Sequence, residues 1–529
     1  MIHAPAPLRP PHQVMRLARF AAMMPTRLSF LRTVLRRLGE ERAQVTRPLW
    51  QMDAEGIGTA VYSVPYGGHT YSLVAITKPL SAEDRTDRVI ATAWDAAFVL
   101  YDGVPDAAAL ADIAANAPLQ EAGRMGPRAL VLSRANKSVR LWNHVVSSLR
   151  AGRAPEPDML RTGYLMRTTA VYGNGKFGLS DRSDYDTRPG MALSFAAEML
   201  TVWLIRHFTH DLVQHVGQGT LPAETLRALG IGNATGLGMA PFLVSHPVLL
   251  HNWMQAREAA LARARTLPLD PDRLAALGQE AAEHLATWQV PDPTHQAHID
   301  RLRADWSRAP SWLRAPDPLA AAAGERLAVQ ELLVALLIEA AGPAIDDLAV
   351  GMTDATGPRA PLPQGTDAMR RMLHRHCAWA LRVPYASPAQ CQRFWYVSAN
   401  KLEPRIGNRH AEPGAELESP LDIARRLAAL AQDLPDTDTP LADFLAQHPH
   451  HVLAAQRAAI AARYPYADIQ DNLIAATCRP IDLLRAKLAL FGATGFDPKS
   501  DLWTRISLAK GAPLAADIAQ GAEALWLPA

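Results

Sequence analysis

The stretch GTAVYSVPYGGHTYSLVAIT, Gly58–Thr77, gives the clearest indication of regular structure in the chain. β-branched and aromatic residues stand on both sides of Gly67–Gly68, and two glycines between two such runs are typical of a β-hairpin turn. The following run RVIATAWDAAFVLYDG, Arg88–Gly103, fits either another strand or a helix, because a short apolar run does not separate the two by its period. We therefore predict a small α+β subdomain in this part of the chain.

From about residue 106 onward, the apolar residues recur mainly at helical spacing. The predicted helices are Asp106–Ala115, Asn136–Ala151, Met191–Val216, Pro247–Arg265, Asp272–Trp288, Pro318–Ala341, Asp367–Leu381, Pro420–Gln432, Leu441–Ala462 and Ile481–Phe491. The stretch FDPKSDLWTR, Phe496–Arg505, is predicted as a turn. The predicted fold class is therefore mainly α with a small α+β subdomain near the N-terminus, in a multi-helix, multi-domain globular protein.

Proline-rich breaks suggest four regions, because proline interrupts both helices and strands. They are a basic N-terminal arm and helix at 1–50, the α+β subdomain with its β-hairpin at 51–150, a central helical domain with glycine-rich loops at 151–360 and a C-terminal helical domain at 361–529. In the first region, a leucine stripe at helical spacing is interleaved with Arg32, Arg36 and Arg37. We expect this helix to dock on the body with its arginines solvated, and binding of a partner by it stays open.

Composition and charge exclude several classes of protein. The chain has 529 residues, 49% of them hydrophobic, which is enough apolar surface for folded domains and too much for a largely disordered chain. The formal net charge of +2 gives no global field for nucleic acid, so we predict no nucleic-acid partner. Three cysteines without a CxxC pair, and no run of about 18 apolar residues, predict a cytoplasmic protein without a transmembrane segment. Assembly into a homo-oligomer is compatible with the sequence.

The first stretch that contains candidate functional residues is YLMRTTAVYGNGKFGLSDR, Tyr164–Arg182. Its GNGKFG matches the dinucleotide pattern G-x-G-x-x-G, but the residues before it are half polar and those after it are too rich in breakers for a helix. A glycine loop whose backbone amides approach an anion fits better, with Asn174, Lys176 and Arg182 beside Tyr172. The alternative is a surface turn in which the lysine is solvated.

The second stretch is GIGNATGLGMAPFLVSHPVLLHNW, Gly230–Trp253. Four glycines within nine residues surround Asn233 and indicate close approach by either a ligand or another backbone segment. His246 and His251 follow, and either imidazole is a candidate proton carrier because histidine titrates near neutral pH. A hydrogen-bonded structural role is the alternative for each.

The third stretch is FWYVSANKLEPRIGNRH, Phe394–His410, in which polar and charged residues crowd into a segment interrupted by proline and glycine. An anion clamp would use the planar guanidinium groups of Arg405 and Arg409, whereas an ion-pair network would account for the same residues without a ligand. The other candidate binding residues of this stretch are Asn400, Lys401 and His410.

Together these loops predict a cytoplasmic enzyme that acts on a small, anionic metabolite by general acid–base chemistry. The candidate catalytic residues are Tyr172, Lys176 and His246, and the pocket is expected where loops 172–182, 230–251 and 400–410 converge. The sequence indicates neither the reaction nor a cofactor, and no metal ligand is assigned to this site.

Two alternatives remain open at this stage. The chain could be a non-enzymatic helical scaffold whose loops are simple turns. It could also be a helical metalloenzyme or oxygenase, since His207, Asp211 and His215 are spaced to lie within about 80° of one helical face. Ligands from a second helix would then be needed, and the candidates are Glu280, His284, Glu331 and Glu339.

Overall fold

The computed structural model describes residues 7–81, 94–119, 125–160, 163–173, 194–233, 247–290, 293–350, 352, 360–386, 396–398, 401–405, 416–417, 421–468, 480–500 and 503–521. Twelve strands lie within these ranges. They are β1 Thr46–Met52, β2 Gly58–Tyr66, β3 His69–Thr77, β4 Ala96–Asp102, β5 Ala129–Lys137, β6 Tyr164–Gly173, β7 Gly230–Asn233, β8 Tyr396–Ser398, β9 Lys401–Arg405, β10 Glu416–Leu417, β11 Ala493–Ser500 and β12 Trp503–Leu508.

Nine of these strands form one mixed sheet in the order β1-β2-β3-β4-β5-β6-β7-β12-β11. The predicted hairpin is confirmed, since β2 and β3 pair antiparallel from Gly58↔Thr77 to Tyr66↔His69 around Gly67–Gly68. Neighbouring strands are antiparallel throughout this sheet except for β6 and β7, which run parallel. The strands β8, β9 and β10 form a separate three-stranded antiparallel sheet.

The prediction of a mainly α fold with a small α+β subdomain is wrong, because this large mixed sheet begins near the N-terminus and takes in strands far beyond the hairpin. β4 is a nearly continuous buried apolar run, and β5 is buried at most positions, so neither shows the alternation of buried and exposed residues that distinguishes a strand from a helix. The segment predicted as a turn at Phe496–Arg505 belongs to the antiparallel pair β11–β12. This pair joins the sheet beside β7, although β11 begins about 260 residues later in the sequence.

Helices cover the sheet and continue beyond it. The described helices are α1 Pro11–Val14, α2 Leu17–Phe20, α3 Phe30–Glu40, α4 Ala107–Asn116, α5 Val139–Arg150, α6 Pro157–Leu160, α7 Ser194–Gly217, α8 Ala223–Ala228, α9 Pro247–Ala264, α10 Pro271–Thr287, α11 Pro293–Trp306, α12 Ala309–Leu313, α13 Pro318–Ala321, α14 Leu327–Ala340, α15 Asp346–Val350, α16 Thr366–His376, α17 Ala378–Leu381, α18 Leu421–Asp433, α19 Leu441–Gln447, α20 Val452–Arg463, α21 Pro480–Phe491 and α22 Ala515–Ala519.

The two faces of the sheet are buried by different helices. Alternate residues of β2, such as Tyr62 and Val64, join the main core beneath α7, whereas Val61 joins a smaller cluster beneath α4. A third apolar cluster holds α16 to α20 together around residues such as Leu373, Leu427 and Phe444. The sheet and this last helical group therefore have separate hydrophobic cores.

The N-terminal arm docks on the body as expected, but several of its arginines are buried rather than solvated. Arg32 donates to both carboxylate oxygens of Glu339 at 2.9 and 2.8 Å, and its side chain is 1% exposed. Arg27 forms a two-point pair with Asp346. Burial alone would raise the pKa of Glu339, yet Arg32 and Arg27 together hold it below the usual carboxyl range. The arginines of this arm thus serve mainly to form ion pairs inside the fold.

No single helix among the described residues is long and apolar enough to cross a membrane. One pair, Leu327–Ala340 and Gly342–Ala349, meets the length and composition requirement only when taken together, and the two helices are bent by 106° at the break between them.

Candidate functional site

The parallel pair β6–β7 brings two of the predicted loops to the same edge of the sheet. Tyr164 registers with Gly230 and Thr168 with Asn233, so both strands run in the same direction from a common starting level. β7 ends at Asn233, level with Thr168, whereas β6 continues to Gly173, so the segments that follow the two strands begin on the same side of the sheet but about 16 Å apart along the strand direction. This arrangement resembles the edge of open α/β sheets where ligands commonly bind.

The structure places only some of the predicted site residues. Tyr172 lies in β6, opposite Leu132 of β5, and Asn233 is the last residue of β7. Lys401 and Arg405 lie in β9, opposite Ser398 and Tyr396 of β8. The remaining candidates fall outside the described residues: Asn174, Lys176, Arg182, His246, Asn400, Arg409 and His410. Convergence of the third loop with the first two therefore stays a prediction.

The long helix α7 spans the height of the sheet and begins near this edge. At its far end, the ring Nε2 of His215 lies 2.7 Å from the carbonyl oxygen of Asp53, in the turn between β1 and β2. Nearer its middle, Thr209 Oγ1 lies 3.7 Å from Met166 Sδ of β6. Measured along α7, Glu198 lies roughly 16 Å from Thr209, toward the start of the helix. Measured along β6 in the same direction, the level at which β7 ends lies only about 7 Å from Met166. Glu198 therefore lies beyond the level at which β7 ends, toward the carboxyl end of β6.

Glu198 has the electrostatic character of a proton carrier. It is 5% exposed, and burial raises the pKa of its carboxyl group well above the usual range. A carboxyl group with a raised pKa can hold a proton near neutral pH and release it to a reacting group. Groups with strongly shifted pKa values are concentrated at functional sites, although ordinary buried carboxyl groups also show such shifts.

Two further buried polar atoms, one on β6 and one on α7, have no hydrogen-bond partner among the residues that the structure describes. They are Thr168 Oγ1, on the strand opposite Asn233, and Nε2 of His210 on α7. Thr168 is fully buried and shares its face of β6 with Met166, which contacts α7. Unsatisfied buried polar atoms are rare in native proteins and call for a specific explanation, such as a ligand or an ordered water molecule.

The residues of the metalloenzyme alternative already have protein partners. Asp211 accepts hydrogen bonds from the Tyr62 hydroxyl at 2.7 Å and from Arg47 at 3.0 Å. His215 is bonded to the Asp53 carbonyl, and the His207 ring packs against those of Tyr62 and Trp203. The suggested partners from a second helix are engaged too, since Glu331 and Glu339 form ion pairs with arginines. This face of α7 fastens the helix to β1 and β2.

His251, one of the two histidines in the second stretch, has the hydrogen-bonded structural role that was the alternative to proton transfer. Its Nδ1 accepts a hydrogen bond from the backbone N–H of Tyr466 at 3.1 Å, and its ring stacks on that of Tyr466. Burial lowers its pKa to about 4, against an opposing hydrogen bond from Gln255. The imidazole is therefore neutral over the physiological range and holds α9 to the segment that follows α20.

The first glycines of the second stretch accommodate neighbouring strands rather than a ligand. A Cβ atom on Gly230 would meet the Leu508 carbonyl oxygen and lie 2.8 Å from the Lys510 nitrogen. A Cβ atom on Gly232 would lie 2.6 to 2.8 Å from the Tyr164 ring. Of the two explanations offered by the sequence, close backbone approach accounts for Gly230, whereas at Gly232 the neighbour that packs closely is the Tyr164 ring. The later glycines, Gly236 and Gly238, lie outside the described residues.

Substituting Gly230 with alanine is expected to lower the free energy of unfolding by about 1–3 kcal/mol, because the new methyl group collides with backbone atoms that cannot move without breaking the β7–β12 pairing. Urea denaturation followed by circular dichroism measures the loss. Gly324→Ala is the matched control, since nothing lies within 4 Å of a Cβ atom there. Equal stability of the two variants would contradict the close packing of β7 against β12.

Glu198 is not among the site residues predicted from the sequence. The signal was present, because Glu198 is a lone carboxylate within the apolar run SFAAEMLTVWLI of the buried helix α7. No protein-family model matches the chain, and comparisons with curated proteins and with solved structures find no match. Function must therefore be argued from the geometry of this chain alone.

Proposed function

We propose that this protein is a cytoplasmic enzyme that acts on a small anionic metabolite by general acid–base chemistry, at the sheet edge where β6 and β7 end. The observation that supports the proposal is the parallel pairing of these strands, because the GNGKFG and GNATGLG segments both continue from their carboxyl ends on one side of the sheet, although β6 extends five residues beyond the level at which β7 ends. Exposed backbone amides in glycine loops, together with nearby cations, form a suitable environment for phosphate or carboxylate groups.

The residues take distinct roles in this proposal. Lys176 and Arg182 hold the anionic group, assisted by the amide side chains of Asn174 and Asn233. Glu198 exchanges a proton with the substrate beyond the end of β7, where its raised pKa suits the task. Tyr172, Lys176 and His246 are the candidates for the opposite proton transfer. The third loop adds anion-holding groups if it reaches the same edge, and these are Asn400, Lys401, Arg405, Arg409 and His410.

Ligand binding is the first test, made with a panel of phosphorylated and carboxylated metabolites and monitored by thermal shift and isothermal titration calorimetry. We expect at least one anion to bind the wild-type protein. The Lys176→Met variant should bind it about 10- to 150-fold more weakly, because a hydrogen bond to a charged group contributes about 1.5–3 kcal/mol. Absence of binding by every anion in the panel would contradict the proposal.

Two control variants locate the binding site. Lys78→Met removes an exposed lysine that follows β3 at the opposite edge of the same sheet and should leave affinity unchanged. Arg371→Ala/Arg375→Ala removes two exposed cations that line a groove of about 760 Å³ along α16, the competing basic surface among the described residues. Loss of binding in this double variant, with normal binding by Lys176→Met, would move the anion site to α16.

Chemistry is tested separately by incubating the bound metabolite with the enzyme in D₂O and following deuterium incorporation by NMR. Wild-type protein should catalyse the exchange of a proton of the ligand, and Glu198→Gln should bind the ligand but exchange that proton at least about 100-fold more slowly. Unchanged exchange in Glu198→Gln would exclude this carboxyl group as the proton carrier. Binding without exchange in the wild-type protein would reduce the proposal to a binding protein.

A further inference from the structure

A cluster of histidines and one aspartate lies in the C-terminal helical group, far in sequence from the proposed enzyme site. Asp433 is the last residue of α18, and His450 and His451 belong to the 3₁₀ turn Pro449–His451 between α19 and α20. The Nε2 atom of His451 lies 2.9 Å from Oδ2 of Asp433. One ligand atom from each of Asp433, His450 and His451 lies within 4.8 Å of the others.

Packing holds part of this cluster in place. His451 is 2% exposed, and its ring stacks on Phe444 at an interplanar angle of 8°. Asp433 is about half exposed, and His450 is exposed, with its ring centroid 4.0 Å from that of His451. The cluster thus combines one fixed imidazole with two ligands that can adjust and are open to solvent.

We propose that Asp433, His450 and His451 form a binding site for a divalent transition-metal ion of the zinc type. Two imidazole nitrogens and one carboxylate oxygen are a common ligand set for Zn²⁺ and leave one coordination position for water or another ligand. Around a tetrahedral ion at about 2.0–2.1 Å, neighbouring ligand atoms lie about 3.3 Å apart. A small rotation of the exposed His450 ring brings the observed cluster to that spacing.

The ion joins segments that are separate in the chain. Asp433 ends α18, whereas the histidines lie at the junction of α19 and α20, so coordination connects the end of one helix to the turn between two others. His448 is the nearest further imidazole, with its ring centroid 6.2 Å from that of His451, and would be the fourth protein ligand if it turned inward. Metal binding therefore stabilises this helical group, because the intact arrangement of ligands exists only in the folded state.

The direct test uses full-length protein treated with a chelator and then dialysed against Zn²⁺, with bound metal measured by elemental analysis and affinity by titration with a competing chromophoric chelator. We expect one tightly bound ion per chain. Asp433→Asn and His450→Ala, both at exposed positions, should each weaken binding by at least about 10-fold. His374→Asn, an exposed histidine on α16 in the same helical group, should bind as the wild type does.

A second readout separates a metal site from an ordinary histidine–aspartate hydrogen bond. Zn²⁺ should raise the Tm of the wild-type protein and of His374→Asn by about 2–5 °C but leave that of Asp433→Asn unchanged. Circular dichroism without metal checks that both cluster variants are folded. Absence of stoichiometric zinc, or zinc binding that survives both cluster substitutions, would overturn the proposal, and so would an equal rise in Tm for all variants.

Discussion

Replacing Glu331 with leucine is expected to lower the free energy of unfolding by about 3–5 kcal/mol, because it removes the negative partner of several buried arginines. Glu331 has no exposed side-chain surface and pairs with Arg257, which is itself 4% exposed. Arg9 and Arg19 of the N-terminal arm approach the same carboxylate at 3.2 and 3.6 Å. Without Glu331, Arg257 loses this partner in the buried interior, whereas the side chains of Arg9 and Arg19, which lose it too, are 20% and 26% exposed.

The neighbouring Glu258 does not replace the missing carboxylate, because its own oxygens are already used. It accepts two hydrogen bonds from Arg9, at 2.6 and 2.8 Å, and one from Arg257 at 2.9 Å. Burial alone would raise the pKa of Glu331, but Arg9 and Arg257 hold it below the usual carboxyl range, so the ionised form is the one the fold stabilises.

Chemical denaturation of Glu331→Leu and of Asp347→Asn measures this difference. Asp347 pairs with Arg263, which lies on α9 as Arg257 does, but its side chain is 64% exposed. Exposed ion pairs contribute at most about 1 kcal/mol, so the control should be nearly as stable as the wild type. If the two variants lost equal stability, the buried network would be no more important than a surface pair.

Replacing Arg206 with leucine is expected to cost about 3–5 kcal/mol as well, for a different reason. The guanidinium group donates to five backbone carbonyl oxygens and is only 2% exposed. These carbonyl groups belong to Leu226, Arg227, Leu229, Ala512 and Pro513. Leucine fills part of the space but supplies no donor, so the carbonyl groups of Leu229, Ala512 and Pro513 lose a buried hydrogen bond, whereas those of Leu226 and Arg227 keep a backbone donor.

Arg227→Leu is the matched control for Arg206→Leu. Arg227 lies in the same region but is 43% exposed and pairs with Asp517 at 2.7 Å, so its loss should leave the free energy of unfolding nearly unchanged. Hydrogen exchange adds a local readout, because Arg206 fastens α7 to the start of β7 and to the segment after β12. Unchanged protection of β7 and β12 amides in Arg206→Leu would contradict this role.

The sequence predicted the hairpin β2–β3 because β-branched and aromatic residues stand on both sides of Gly67–Gly68, which mark the turn. It predicted most helices beyond residue 190 because apolar residues recur there at helical spacing. It could not predict the nine-stranded sheet, because strands such as β4 lack alternation and β7 has only four residues. The register that joins β7 to β12 depends on contacts between residues about 275 positions apart.

The candidate site was predictable in part. Glycines, lysine and arginine in one short stretch indicated the first loop, but only the parallel register connects it to the second. Buried ion pairs escaped prediction because Arg32 and Glu339 are 307 residues apart and nothing local indicates their pairing. The histidines at 448, 450 and 451 were visible in the sequence, whereas the aspartate that completes the cluster comes from another helix.

The ion pairs between the N-terminal arm and α14 have a consequence for folding during synthesis on the ribosome. Arg9 emerges early, but the carboxylate of Glu331 that neutralises it is polymerised 322 residues later. At about 5–20 residues per second, this delay is about 16 to 64 s. During that interval, the nascent arm exposes its arginines and the apolar stripe of α3, so the arm reaches its native surroundings only after α14 has been made.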